Sequence, residues 1–99
     1  MFAFQPDINR VQKDQQIIRL IKNRDKEGIS ILYDTYSSVL LLMILRRENQ
    51  RAAAEEKLVG CFINAWNNIN DYNGEKWLLS WLITFIPNNL PVPAINILL

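Results

Sequence analysis

The sequence predicts an all-α fold, a compact bundle of three long helices plus a short N-terminal helix, on three observations. Between residues 54 and 69, Ala54, Leu58, Cys61, Phe62, Ala65, Trp66 and Ile69 recur three and four positions apart, which sets them on one face of a helix. From Lys26 to Arg47 there is no proline and no glycine after Gly28, while Ile29, Leu32, Tyr33, Tyr36, Val39, Leu40, Met43 and Ile44 keep the same period. The turn-forming residues gather instead in NNINDYNG, residues 67–74, and in the prolines from Pro87 onward.

Taken in order, residues 1–13 are an N-terminal arm. Asp14 is the expected N-cap of a short first helix over about 15–23, with Ile17, Ile18 and Ile21 as its apolar edge. Asp25 is the expected cap of the second and longest helix, about 26–47. The end of that helix, VLLLMILRR, is apolar all round until Arg46 and Arg47, which suit its C-terminal dipole. Such a surface requires burial on several sides or a face shared with a partner. Asn49 is the expected cap of the third helix, about 50–67. After the polar loop, Asn73 is the expected cap of a fourth helix reaching about Ile86, where Pro87 stops it. The folded domain is then 14–86, and 87–99 is a proline-containing apolar tail. Lys76 is the last charged residue.

Ninety-nine residues make one domain with a single core. Apolar residues at 49% and charged residues at 21% fit a folded soluble chain, so the cytoplasm is the expected compartment. The start, MFAFQPD, lacks the basic and apolar regions of a secretory signal. The apolar run Trp77 to Ile86 is about half of the ~20 residues a membrane span needs, so no membrane partner is expected. Eleven Lys and Arg against ten Asp and Glu leave a net charge of +1, too little for the whole-protein field to gather nucleic acid.

The residue inventory argues against an enzyme. No histidine is present, which removes His-based acid/base work and His-ligated metals. One cysteine, Cys61, cannot build a thiolate cage and sits on the apolar stripe of the third helix. Glycines 28, 60 and 74 are too scattered for a phosphate-cradling loop. Glu55 and Glu56 are adjacent in sequence but point about 100° apart on a helix, so they make a solvated face and not a catalytic pair. Neither a cofactor nor a metal is expected. Trp66 and Trp81 are expected in the core, Tyr33 and Tyr36 in the core or at its edge, and Tyr72 is the candidate for base stacking.

DKEGISILYDTYSSVLLLMIL and AAAEEKLVGCFINAWNNINDYNGEKWLLSWLIT, at their spacing, resemble region 2 of an extracytoplasmic-function sigma factor, the specificity subunit of bacterial RNA polymerase. Leu32, Tyr33, Asp34, Tyr36 and Ser37 match the family's first segment. Ala54, Glu55, Glu56, Phe62 and Trp66 match the second, and Trp81, Leu82, Ile83 and Thr84 the last. The likeness spans about residues 14–86 and implies the sigma region 2 bundle and non-enzymatic work in transcription initiation. It implies that Asp34, Glu55, Glu56 and Val59 bind the clamp helices of the polymerase β′ subunit. It implies that Asn68, Asn70, Asp71, Tyr72, Asn73 and Lys76 face the unwound −10 promoter DNA, and that an anti-sigma factor is a further partner.

The chain also departs from that family. Val59 and Gly60 stand where the family prefers glutamine and an acid, Pro87 stands near an expected arginine, and no basic residue follows. The family's second, helix-turn-helix domain has no counterpart in these residues, as expected of a truncated or decayed relative. These departures leave a second expectation open: a protein-interaction or self-associating helical module that forms a homo-oligomer through its apolar surface.

Overall fold

Leu32, Tyr36, Leu40 and Ile44 recur every four residues and are almost wholly buried, so one side of the second helix is the spine of the core. In the computed structural model, which describes residues 8–86, that helix is α2 (Lys26–Leu45). α1 (Ile8–Lys22) and α3 (Arg51–Asn67) pack against it. A 3-10 turn at Ile69–Asp71 and a short α4 (Leu78–Ile83) complete the described chain, which contains no strand. Ile17 and Ile21 of α1, the α3 stripe Ala54, Leu58, Phe62 and Ala65, then Ile69, Leu78 and Leu82 share one core with the α2 spine.

The joint between α1 and α2 is set by backbone geometry. Arg24 takes φ 59, and the Arg24 and Asp25 amides donate to the Ile21 and Leu20 carbonyls at 2.9 Å, the Schellman closure of a helix C-terminus. Asp25 then caps α2 as expected, its carboxylate accepting from the Glu27 amide at 3.0 Å. One turn later Gly28 is buried, and a Cβ there would stand 2.8 Å from Leu20 Cβ and 2.9 Å from the Ile21 amide nitrogen. Only glycine allows α2 to start this close to α1.

Several expected boundaries move. α1 is 15 residues long and begins at Ile8, within the expected arm. Asp14 lies inside it and caps nothing, because its carboxylate accepts from the Tyr36 hydroxyl. The short helix is therefore the last one, α4 with six residues, and not the first. Asn73 does not cap it: Asn73 Oδ1 accepts from the Glu75 amide at 2.9 Å in a local turn, and Trp77 occupies the N-cap position. Past Ile83, the amides of Thr84, Phe85 and Ile86 each bond three residues back, which tightens the end of the helix. Asn49 yields the cap of α3 to Gln50, whose amide donates to Glu48 at 3.2 Å. The other Glu48 oxygen takes Lys57 at 2.7 Å and ties the connection to α3. The expectations for 1–7 and for the tail 87–99 lie outside the described residues.

By length and composition α2 could also cross a bilayer. In this fold one side of it is buried against α1 and α3. Leu42 remains 65% exposed, so of the two expectations for its apolar second half, burial on several sides or a face shared with a partner, the described residues do not meet the first.

Two glycines inside helices give opposite expectations. Gly60 in α3 has open space on the side where a Cβ would stand, with nothing within 4 Å, so Gly60→Ala should stabilise by about 0.5–1 kcal/mol and raise the melting temperature by several degrees. Gly28→Ala meets backbone and should destabilise by about 1–3 kcal/mol. Thermal and urea unfolding of both variants check this, and equal effects at the two sites would contradict the described α1–α2 contact.

Candidate functional site

The buried stripe of α3 leaves its neighbouring flank at the surface. Val59 and Ile63 on that flank are about half exposed, and so is Tyr33 across from them on α2. With Ile29, Phe62 and Trp66 they line an apolar groove of about 240 Å³ between α2 and α3. Tyr33 packs on Phe62 with ring centroids 5.0 Å apart, so its ring forms one wall while its edge meets solvent. Trp66, at the far end, is held by Arg24. The guanidinium lies 5.1 Å over the indole and donates at 2.6 Å to the Trp66 carbonyl, a group left open in the last turn of α3.

Of the four residues expected on a polymerase face, Val59 lies in this groove. Glu55 and Glu56 stand one turn before it on α3, both exposed, and Glu55 pairs with Arg51 at 3.0 Å. That exposed pair is worth at most about 1 kcal/mol, so a partner's cation can displace Arg51. Asp34 is exposed on α2 next to Tyr33, but successive helical residues point about 100° apart, and it is not part of the groove lining. Ile29, Tyr33, Phe62, Ile63 and Trp66 are the groove residues absent from the expected set. The signal for Ile63 was available, since it lies four residues after Val59.

A second concavity, about 250 Å³, lies where α1 meets the loop before α4. Arg10 and Asp14 face Tyr72, Lys76 and Trp77 across it. Of the six residues expected at DNA, only Tyr72 and Lys76 line this cleft. Asn68 turns its amide back to the Asn64 carbonyl at 2.9 Å, Asn73 is spent on the Glu75 amide, and Asn70 and Asp71 are exposed on the 3-10 turn away from the lining. Tyr72 is no free platform either. Its ring packs on Trp81 at 5.1 Å, Trp81 packs on Phe85 at 5.0 Å, and its hydroxyl donates to the Lys76 carbonyl. Trp77, 49% exposed, is the more accessible ring in the cleft. Arg10 carried no sequence signal, because only the packing of α1 brings it to this loop.

Asp14 is the electrostatic centre of the cleft. Its Oδ1 accepts from the Tyr36 hydroxyl at 2.6 Å, and Arg10 lies 5.2 Å over the Tyr36 ring. Burial raises the Asp14 carboxyl above its ordinary value, outweighing the lowering by Tyr36, Arg10 and Lys13. Burial, followed by the hydrogen bond and charge of Asp14, likewise pushes the Tyr36 hydroxyl far above its usual range. Burial pushes the Cys61 thiol up to about 11, so it is a packing residue and not a nucleophile at neutral pH. No known protein family, curated protein or solved structure matches this chain.

A carboxyl whose folded-state pKa lies above its unfolded value favours folding when protonated. The contribution is full below about 3.8 and is lost as pH rises through the raised folded value. Asp14→Asn removes that titration. The stability of the wild type relative to Asp14→Asn should therefore fall as pH rises across this window, as measured by urea unfolding at a series of pH values. Parallel profiles would contradict it.

Proposed function

We propose that this chain is a protein-docking helical module of the sigma region 2 kind, which binds the clamp helices of the polymerase β′ subunit through the α2–α3 groove. The observation that carries the proposal is the coincidence of an open apolar groove at Tyr33, Val59 and Ile63 with two exposed carboxylates, Glu55 and Glu56, one turn away on the same helix. An apolar channel takes the apolar stripe of a partner helix, and the acids steer and register a partner whose flanks are basic. The resemblance of the AEEKLVGCF segment to that family implies Glu55, Glu56 and Val59 of this surface, whereas Asp34 of LYDTYS lies off it.

A contact to −10 promoter DNA is the weaker half of the proposal. The loop cleft offers two cations, Arg10 and Lys76, and an accessible indole at Trp77, which suit a phosphate and a stacked base. With so few cations, binding should be weak and vanish with added salt. Quenching of tryptophan fluorescence by a single-stranded oligonucleotide, reduced in Lys76→Glu, checks this contact.

The direct test is capture of the full chain by an isolated β′ clamp coiled coil. Val59→Glu and Ile63→Glu should each lower affinity by about ten-fold or more. Both positions are about half exposed, so melting temperature should barely change. Absence of wild-type binding, or binding indifferent to both variants, would overturn the proposal. The apolar character of Val59 and Ile63 favours a second reading, self-association through this groove, which sedimentation would reveal as a mass rising with concentration and lost in Val59→Glu.

A further inference from the structure

The second half of α2 carries an apolar surface that neither the core nor the groove uses. Leu40 and Ile44 point inward, while Val39 and Leu42 are exposed at 38% and 65% and Met43 is half-buried beside them. Residues 39, 42, 43 and 46 fall on one helical stripe. At Met43 the stripe runs into a shallow concavity of about 160 Å³, where Ile83 and Ile86 meet Arg46 and Arg47. A single exposed leucine is ordinary, but a stripe continuous with an apolar concavity is a surface of another kind.

Ile86 is both a wall of that concavity and the last described residue. The sequence that follows it, PNNLPVPAINILL, has no charge and carries Leu90, Val92, Ile95, Ile97, Leu98 and Leu99. Proline, which does not fit a helix interior, stands at 87, 91 and 93 of this sequence. The stripe from Met43 back to Val39 covers only about 6 Å of helix axis, whereas thirteen residues can span up to roughly 40 Å. Reach is no obstacle. A segment tethered at the edge of its site is present at an effective concentration on the order of millimolar, far above a second copy at micromolar concentration.

We propose that the Val39, Leu42 and Met43 stripe, with Ile83, is the docking surface for the chain's own residues 87–99. This covering is independent of the groove and of the polymerase proposal, since it uses a different side of α2. It removes exposed apolar surface from α2 and buries the uncharged side chains after Ile86 in the same contact.

The test places a thiol on the stripe of the full chain as Leu42→Cys and follows its reaction with an aromatic disulfide reagent. Cys61 contributes little background, being buried with its thiol pushed up to about 11. A second chain adds Val92→Asp and Ile95→Asp, which should expel the segment. Labelling should be at least about five-fold faster in the charged chain, because rate follows the fraction of uncovered stripe, and independent of protein concentration in both. Equal rates would overturn the proposal. Protection that grows with protein concentration and ignores the two aspartates would assign the stripe to a second copy, and protection seen only with anionic vesicles would assign it to a lipid surface. Either result overturns the proposal as well. As a check without the thiol, Val92→Asp/Ile95→Asp in the otherwise native chain should increase binding of an apolar dye, and no increase would contradict the covering.

Discussion

The close approach of α1 to α2 at Gly28 is the constraint on which the rest of the fold depends. With no Cβ at that position, the first turn of α2 rests on Leu20 and Ile21, and the two helices share a core from their first contact. The left-handed turn at Arg24 makes the approach possible, although a non-glycine residue is disfavoured there. Its side chain offsets that strain far along the chain by bonding the last turn of α3 at Trp66. One elbow therefore fixes the position of both neighbouring helices, and with it the wall of the groove.

α2 serves three surfaces at once. Leu32, Tyr36, Leu40 and Ile44 build the core, Ile29 and Tyr33 face the groove, and Val39, Leu42 and Met43 form the outer stripe. The energies are unequal. A fully buried Leu or Ile is worth about 1.5–3 kcal/mol, whereas an exposed ion pair such as Arg51–Glu55 is worth at most about 1 kcal/mol. Stability thus resides in the buried stripes, and the acids and apolar residues around the groove can change partner without unfolding the bundle. Val59 and Gly60 both lie off the buried stripe, so substitutions there alter the surface and leave the core intact.

What the sequence disclosed was local, and what it concealed was long-range. The α3 stripe is legible because it depends only on helical period, and the Asp25 cap because its bond closes within two residues. Asp14 carries the same signature, an acid ahead of an apolar run, but its partner is Tyr36 on another helix. Asn49 and Asn73 mislead for a related reason: Glu48 reaches the Gln50 amide, and Asn73 closes a turn on Glu75 before α4 begins. Polar residues in a loop resemble a binding surface until their hydrogen bonds are assigned, which is why Asn68 and Asn73 fall outside the cleft, while Asn70 and Asp71 are exposed on the 3-10 turn away from it. Arg10 and Trp77 enter it through the packing of α1 against the loop, a contact that no spacing in the sequence encodes.

The central claim is that the α2–α3 groove is the docking surface, and amide chemical shifts of the full chain during titration with the β′ clamp coiled coil test it most directly. The account predicts changes concentrated at residues 29–33 and 55–66, with α1 and the loop around Tyr72 unmoved. Changes centred on the α1 cleft or the outer stripe of α2, or none at saturating coiled coil, would contradict it.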